Sequence, residues 1–210
     1  MRRTLLLAAL TFSGCETDAV APQEKVALAP TKLAGIYPER FECTTIATLD
    51  ALTQILGSPT RAIDSPSSVP RGLPRPCTYE VAATPPEYWT FDFDCRDGYK
   101  RRADDLFDQY RKYNADRIAQ YNGMADAGVR QKPSDAGTAE FRQPGLPTDV
   151  EVGAKGLDHN DQGLIFIDDD APCYVRIIGP EATRRLALAR LIAKNLSFAN
   201  APMAPRPFPK

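Results

Sequence analysis

Asp158-His159-Asn160-Asp161-Gln162-Gly163, followed shortly by Asp168-Asp169-Asp170, is the densest set of metal-ligating residue types in the chain. A calcium loop held between two helices spaces oxygen ligands at alternate positions, turns at a glycine and closes on an acid at position twelve. Asp158 and Asn160 fill the first two ligand slots, Gly163 the turn, Ile165 the hydrophobic slot and Asp169 the last position. Gln162 is longer than the usual third ligand, and Asp169 is a methylene shorter than the glutamate that normally binds with both oxygens. The flanks weigh against calcium. Val150 to Gly156 is β-branched and glycine-bearing, and Leu164-Ile165-Phe166-Ile167 is an unbroken apolar run of the buried-strand kind. The stretch therefore reads as a hairpin with Asp158 to Gln162 at its tip, where Asp, Asn and Gly serve the turn. Asp158, Asn160 and Asp169 remain a weak calcium candidate, and no metal or other cofactor is expected. Asp168 to Asp170 is expected to form a second, solvated turn.

Other chemistries find little to work with. His159 is the single histidine, and at an exposed turn tip it has no second His for a metal and no neighbouring Ser or Cys to activate. Asp92 and Asp94 form a carboxylate pair, but spacing alone does not raise the pKa of a general acid. There is no glycine-rich phosphate loop. The expectation is a non-catalytic protein, with a carboxylate-dependent hydrolase as the weaker alternative. A formal net charge of −1 gives no electrostatic reason to bind nucleic acid.

Five cysteines punctuate the chain: Cys15, Cys43, Cys77, Cys95 and Cys173. Setting Cys15 aside leaves an even count, which outside the cytoplasm reads as two disulfides. Zinc would call for C-x-x-C pairs or clustered histidines, and the chain has neither. Cys43 sits before a predicted helix, Cys77 opens a strand, Cys95 ends one and Cys173 begins one. These placements favour Cys43–Cys77 with Cys95–Cys173; Cys77–Cys95 with Cys43–Cys173 is the other pairing kept open.

The elements that must position these residues follow from periodicity. Ile46, Leu49, Leu52, Ile55 and Leu56 have helical spacing after Thr44-Thr45, taken as the N-cap, and stop at Gly57. Ser58 to Pro76 holds five prolines and reads as a long irregular crossing. Cys77 to Ala83 and Tyr88 to Asp94 read as a hairpin; Trp89, Phe91 and Phe93 alternate with polar residues and are expected in the core, with a sugar platform as the sharper alternative. Tyr99 to about Met124 reads as one long helix whose tyrosines are expected to pack. Glu140-Phe141-Arg142 suggests a short strand, Cys173 to Ile178 another, and Glu181 to Asn195 a final helix. The sum is an α+β fold, a single antiparallel sheet covered by about three helices in the order helix, hairpin, helix, strands, helix, stapled by disulfides.

The chain ends differ in character from this middle. Met1-Arg2-Arg3 is a short positive segment and Thr4 to Phe12 an apolar run. Nine residues of helix span about 14 Å, against roughly 30 Å of bilayer hydrocarbon, so the run suits an export signal rather than an anchor. Phe12-Ser13-Gly14-Cys15 resembles the lipobox of bacterial lipoproteins, with Phe12 where that family usually has Leu. The resemblance implies a signal peptide at 1–14, diacylglycerol (and palmitate) on Cys15, and a cell-envelope location anchored to a membrane by lipid. Glu16 to about Lys32 is polar and proline-bearing, so 15–32 reads as the lipidated N-terminus and tether. The folded domain is expected at 33–199, and the proline-rich tail 200–210 is expected to be disordered.

The middle of the chain is also similar to small envelope lipoproteins and receptor ectodomains. The similarity rests on Cys43 before TTIATLDALTQILG, the strand Cys77-Thr78-Tyr79, the strand Cys173 to Ile177 and the closing RRLALARLIAKNL. It implies an extracytoplasmic binding or accessory domain that meets an envelope protein or a small ligand. The alternative is a structural lipoprotein contacting peptidoglycan or an anionic surface through Lys100, Arg101, Arg102, Arg184, Arg185, Arg190 and Lys194.

Overall fold

The computed structural model describes residues 33–64, 69–126, 145–159 and 162–208. The chain divides into Met1–Thr31 and Lys32–Lys210, and every described residue lies in the second unit. Cys15, the signal, the tether, the strand expected at Glu140-Phe141-Arg142 and Asn160 all fall outside the described residues.

Seven strands form one antiparallel sheet: β2 (Thr60–Ile63), β3 (Cys77–Val81), β4 (Glu87–Asp94), β5 (Thr148–Val150), β6 (Lys155–Asp158), β7 (Leu164–Ile167) and β8 (Tyr174–Ile178). Their spatial order is β2-β3-β4-β8-β7-β6-β5. Two meanders, β2-β3-β4 and β5-β6-β7-β8, are thus zipped together by the antiparallel pair β4·β8, in which Phe91 faces Ile177 and Phe93 faces Val175. Three helices cover the sheet: α1 (Leu49–Leu56), α2 (Tyr99–Asp126) and α3 (Ala182–Asn195). This is the α+β, disulfide-bonded fold that periodicity predicts.

Alternation in the strands decides which helix lies where. Tyr79, Trp89, Phe91, Leu164, Phe166, Val175 and Ile177 point to one face and share a core with Leu52 and Leu56 of α1 and Leu188 and Ile192 of α3. Leu157, Ile165 and Ile167 point to the other and pack against Phe107 of α2. The aromatic run of β4 is therefore core, and Trp89 is fully buried; a sugar platform on that face is excluded. Because α2 sits over the β6-β7-β8 side, the outward residues of β2, β3 and β4 carry no helix.

The first helix begins later than expected. Cys43–Thr45 is a single 3-10 turn, and α1 is capped by Thr48, whose Oγ1 accepts the Ala51 N–H at 3.3 Å. Ile46 and Ala47 are buried between the two pieces, so tertiary packing overrides the helical spacing there. Gly57 ends α1 in the left-handed conformation (φ 73°), as its position predicts. The crossing after it is not wholly irregular, because β2 forms against β3 with Arg61 opposite Glu80.

The tail requires a correction. Residues 200–208 are placed rather than disordered: Ala201 and Met203 are buried, Ala201 O accepts the Ile36 N–H at 2.9 Å, and β9 (Arg206–Pro207) pairs with β1 (Leu33–Ala34). Proline lacks a donor but tolerates an edge strand, and the apolar Ala and Met between the prolines supply the burial. The domain accordingly runs past residue 199.

Disulfides join Cys43 to Cys77 and Cys95 to Cys173, the pairing favoured by their placement. The first ties the 3-10 turn before α1 to the start of β3, across α1 and the crossing. The second ties the end of β4 to the start of β8, at the seam of the two meanders. Two disulfides place the domain in an oxidising, extracytoplasmic compartment. Among the described residues no helix is long and apolar enough to cross a membrane.

Candidate functional site

The uncovered half of the sheet meets α2 and the proline-bearing crossing in a cleft of about 310 Å³. Asp92 and Asp94 reach it because they alternate with the buried Phe91 and Phe93. Tyr174 and Arg176 reach it because they alternate with Val175 and Ile177. Tyr99 and Tyr110 come from the first half of α2, and Val69, Pro70, Leu73, Pro74 and Pro76 of the crossing form an apolar wall opposite.

Two carboxylates lie on the floor, each paired with an arginine. Arg176 donates Nε and Nη2 to Oδ2 of Asp92 at 2.9 and 2.6 Å. Arg96 donates Nε to Oδ1 and Nη2 to Oδ2 of Asp94 at 2.9 and 2.6 Å, and the Tyr99 hydroxyl donates to the same Oδ2 at 2.8 Å. Burial pushes the Asp94 carboxyl up, but the bonds from Arg96 and Tyr99 win and hold it below its ordinary value. Asp94 is thus the opposite of a general acid. Burial works against the Arg176 charge, and Asp92 more than offsets it. The Tyr99 and Tyr174 rings stack with centroids 5.4 Å apart, and the Tyr110 and Tyr174 hydroxyls lie 3.0 Å apart. Burial first, then the Tyr110 hydroxyl, raises the Tyr174 pKa well beyond that of a free phenol. Burial, then Asp94, raises that of Tyr99. Both remain neutral hydroxyls across the physiological range.

A larger hollow of about 480 Å³ lies between the tail and the segment around Tyr37. Its Arg96 and Arg206 are committed to Asp94 and Asp97, while Glu39 and Arg71 also line it.

Behind Tyr110 the hairpin tip differs from expectation. His159 is buried, not exposed. Its Nδ1 lies 2.7 Å from Asn114 Nδ2, and its ring meets Tyr110 edge-on at 4.9 Å. Asn114 Nδ2 also donates to Tyr110 O at 2.9 Å, which fixes the amide orientation and makes His159 Nδ1 the acceptor. Asp158, also buried, accepts Arg185 Nη2 at 2.8 Å and Nε at 3.2 Å. The hairpin folds this way because Gly163 (φ +94°) closes against Ile177, where a Cβ would come within 2.3 Å of the carbonyl oxygen.

That geometry bears on calcium. Asp158 faces α3 and is held by Arg185, whereas Asp169 is exposed on the next turn; the first and last candidate ligands serve different surroundings. Among the described residues no group of three or more His, Cys, Asp or Glu is placed to hold a metal. Millimolar calcium is therefore expected to leave the thermal midpoint unchanged, and a rise abolished by Asp158→Ala would contradict the hairpin assignment.

Asp168 corrects the picture of a solvated acidic turn. Asp169 and Asp170 are exposed, but Asp168 is buried and accepts the Ala171 and Asp170 N–H groups at 2.7 and 3.1 Å. Burial outweighs these bonds and raises its pKa from 3.8 to about 6. The folded state thus binds this proton more tightly than the unfolded chain, so the group favours folding most below pH 4 and loses that contribution as pH rises through 6. Asp168→Asn keeps the accepting oxygen without the charge. It should raise stability at pH 7 by up to about 3 kcal/mol, and by little at pH 4; chemical denaturation at the two pH values checks this.

The seven basic residues considered for an anionic surface do not share a face. Arg101 and Arg102 belong to α2 on one side of the sheet. Arg184, Arg190 and Lys194 belong to α3 on the other, where Arg184 also pairs with Glu87 at 3.0 Å. Arg185 is buried, and the Lys100 side chain lies outside the described residues.

No family model, curated protein or solved structure matches the chain.

Most of the cleft was missed in sequence because its residues are far apart. The available signal was alternation: Asp92, Asp94 and Arg176 occupy the polar positions of two amphipathic strands. Nothing local says that those strands are neighbours.

Proposed function

We propose that this chain is a lipid-anchored, extracytoplasmic binding domain of the bacterial cell envelope, non-catalytic, whose small ligand enters the tyrosine-lined cleft. The observation that carries the reading is the cleft itself. Partly buried hydroxyl and carboxylate groups and the exposed Arg176 guanidinium converge from β4, β8 and α2 against an apolar wall, the composition of a ligand site. The Asp94 carboxylate is held ionised by Arg96 and Tyr99, which suits recognition better than proton transfer.

The anchor rests on Ser13-Gly14-Cys15 after a short apolar run. Two or more acyl chains hold a protein stably at a membrane, where one is marginal. Intact mass of the membrane-extracted protein is expected to show acyl groups on a chain beginning at Cys15, and Cys15→Ser is expected to leave the precursor uncut or release it from the membrane fraction. A mature chain with no acyl mass would refute the anchor. The second reading, a structural lipoprotein gripping an anionic surface, loses ground because its basic residues are split between opposite faces.

A further inference from the structure

We infer that the cleft takes a neutral saccharide, held by its hydroxyl groups on the Asp92–Arg176 pair and the Tyr110–Tyr174 hydroxyls with its C–H face against the proline wall. The inference rests on the reading of the cleft as a ligand site and adds the chemical class of the ligand.

The first ground is charge. Asp92 and Asp94 on the floor are each matched by an arginine, Arg176 and Arg96. The cleft presents no net charge, so an anion, a cation or a phosphate gains nothing over a neutral ligand by entering it, while paying the loss of its hydration.

The second ground is which hydrogen-bonding capacity remains. Arg176 directs both Nε and Nη2 at one oxygen, Oδ2 of Asp92. Nη1 of Arg176, on the far edge of the guanidinium, and Oδ1 of Asp92 are left as a donor and an acceptor with no partner among the described residues. Adjacent hydroxyls of a sugar ring each donate and accept, and they match such a pair. Asp94, by contrast, is saturated by Arg96 and Tyr99 and serves to fix Tyr99. Of the two hydroxyls in the Tyr110–Tyr174 contact, whichever accepts still has its own O–H to donate. The raised pKa of Tyr174 keeps that hydroxyl neutral.

The third ground is shape. One wall is aliphatic and proline-rich; the floor is polar. A pyranose has C–H faces and a hydroxyl rim, the same division of surface. The volume, about 310 Å³, lies at the small end of ligand pockets, roughly 300–1,000 Å³. It suits one or two rings better than an extended peptide, which would spread along the sheet.

The test uses the full-length chain in detergent, titrated by calorimetry and saturation-transfer NMR with three neutral disaccharides: cellobiose, maltose and di-N-acetylchitobiose. Glutamate, lysine, inorganic phosphate and an Ala-Pro repeat peptide serve as the contrasting probes. Saturable binding of at least one disaccharide is expected, weakened tenfold or more by Arg176→Met and several-fold by Tyr174→Phe. Near-ultraviolet circular dichroism shows whether each variant is folded; Tyr174→Phe removes only a hydroxyl and keeps the test open should Arg176→Met fail to fold. Disaccharide binding that both folded variants leave intact overturns the inference, because the sugar then sits elsewhere. Binding of a charged probe or the peptide alone, weakened by Tyr174→Phe, overturns the saccharide and preserves the cleft as a ligand site. If no probe saturates, both fall.

Discussion

Arg185→Met is expected to lower the unfolding free energy by about 3–5 kcal/mol, a range typical of removing one partner from a buried ion pair. Arg185 is 2% and Asp158 5% exposed, so neither charge is rescued by water. The substitution keeps much of the volume of the arginine stem and removes the guanidinium, leaving the Asp158 carboxylate buried against α3 and Gly179 O without the Nη1 donor it has at 2.7 Å. Replacing both partners tells a different story. Buried pairs are often matched by apolar residues of similar size, so Arg185→Met with Asp158→Leu should recover most of the loss. Urea denaturation of the two singles and the double gives the coupling energy. A cost below about 1 kcal/mol for Arg185→Met, the level of an exposed pair, would show that the pair is solvated.

Loss of either disulfide should be comparably severe. The Cys95–Cys173 bridge spans 78 residues and Cys43–Cys77 spans 34. In the chain-entropy model these closures contribute about 4.5 and about 3.8 kcal/mol, each a large part of a typical total of about 5–15 kcal/mol. The structural consequences differ. Cys173→Ser frees the seam where β4 meets β8, so the two meanders and the cleft between them should loosen together. Cys43→Ser frees the 3-10 turn and the crossing that walls the cleft. It should weaken the fold while leaving Cys77 as a single alkylatable thiol. The mature wild-type domain should contain no free thiol. Peptide mapping without reduction settles the connectivity: a Cys77–Cys95 peptide would disprove the pairing but keep two disulfides, and four alkylatable thiols would disprove both.

How much of this was legible beforehand depends on the range of the interaction involved. Trp89, Phe91 and Phe93 declare a strand by alternation, and Leu164 to Ile167 declare a buried one, because side-chain direction has a period of two whatever the partner. The long helix from Tyr99 and the final helix from Glu181 are legible for the same local reason. The even cysteine count and the two halves it joins are legible as well. The start of α1 is not legible locally, because Thr44, Thr45 and Thr48 are all competent caps, and only the burial of Ile46 and Ala47 in the core shared with α3 selects Thr48. The order of the tail is not legible locally, because proline content describes what a chain avoids, not what Ala201 and Met203 can bury.

His159 and Asp158 show the division most clearly. By residue type they belong to an exposed turn, and in sequence their helical partners Asn114 and Arg185 are 45 and 27 positions away. Local periodicity determined the elements, their faces and the fold class of this protein. The strand order, the β4·β8 seam, the buried polar groups at the hairpin tip and the cleft that the seam creates were decided by tertiary structure alone. Pairing between distant strands depends on which apolar faces can be buried together and which buried charges find a partner, and neither is a property of any short stretch of chain.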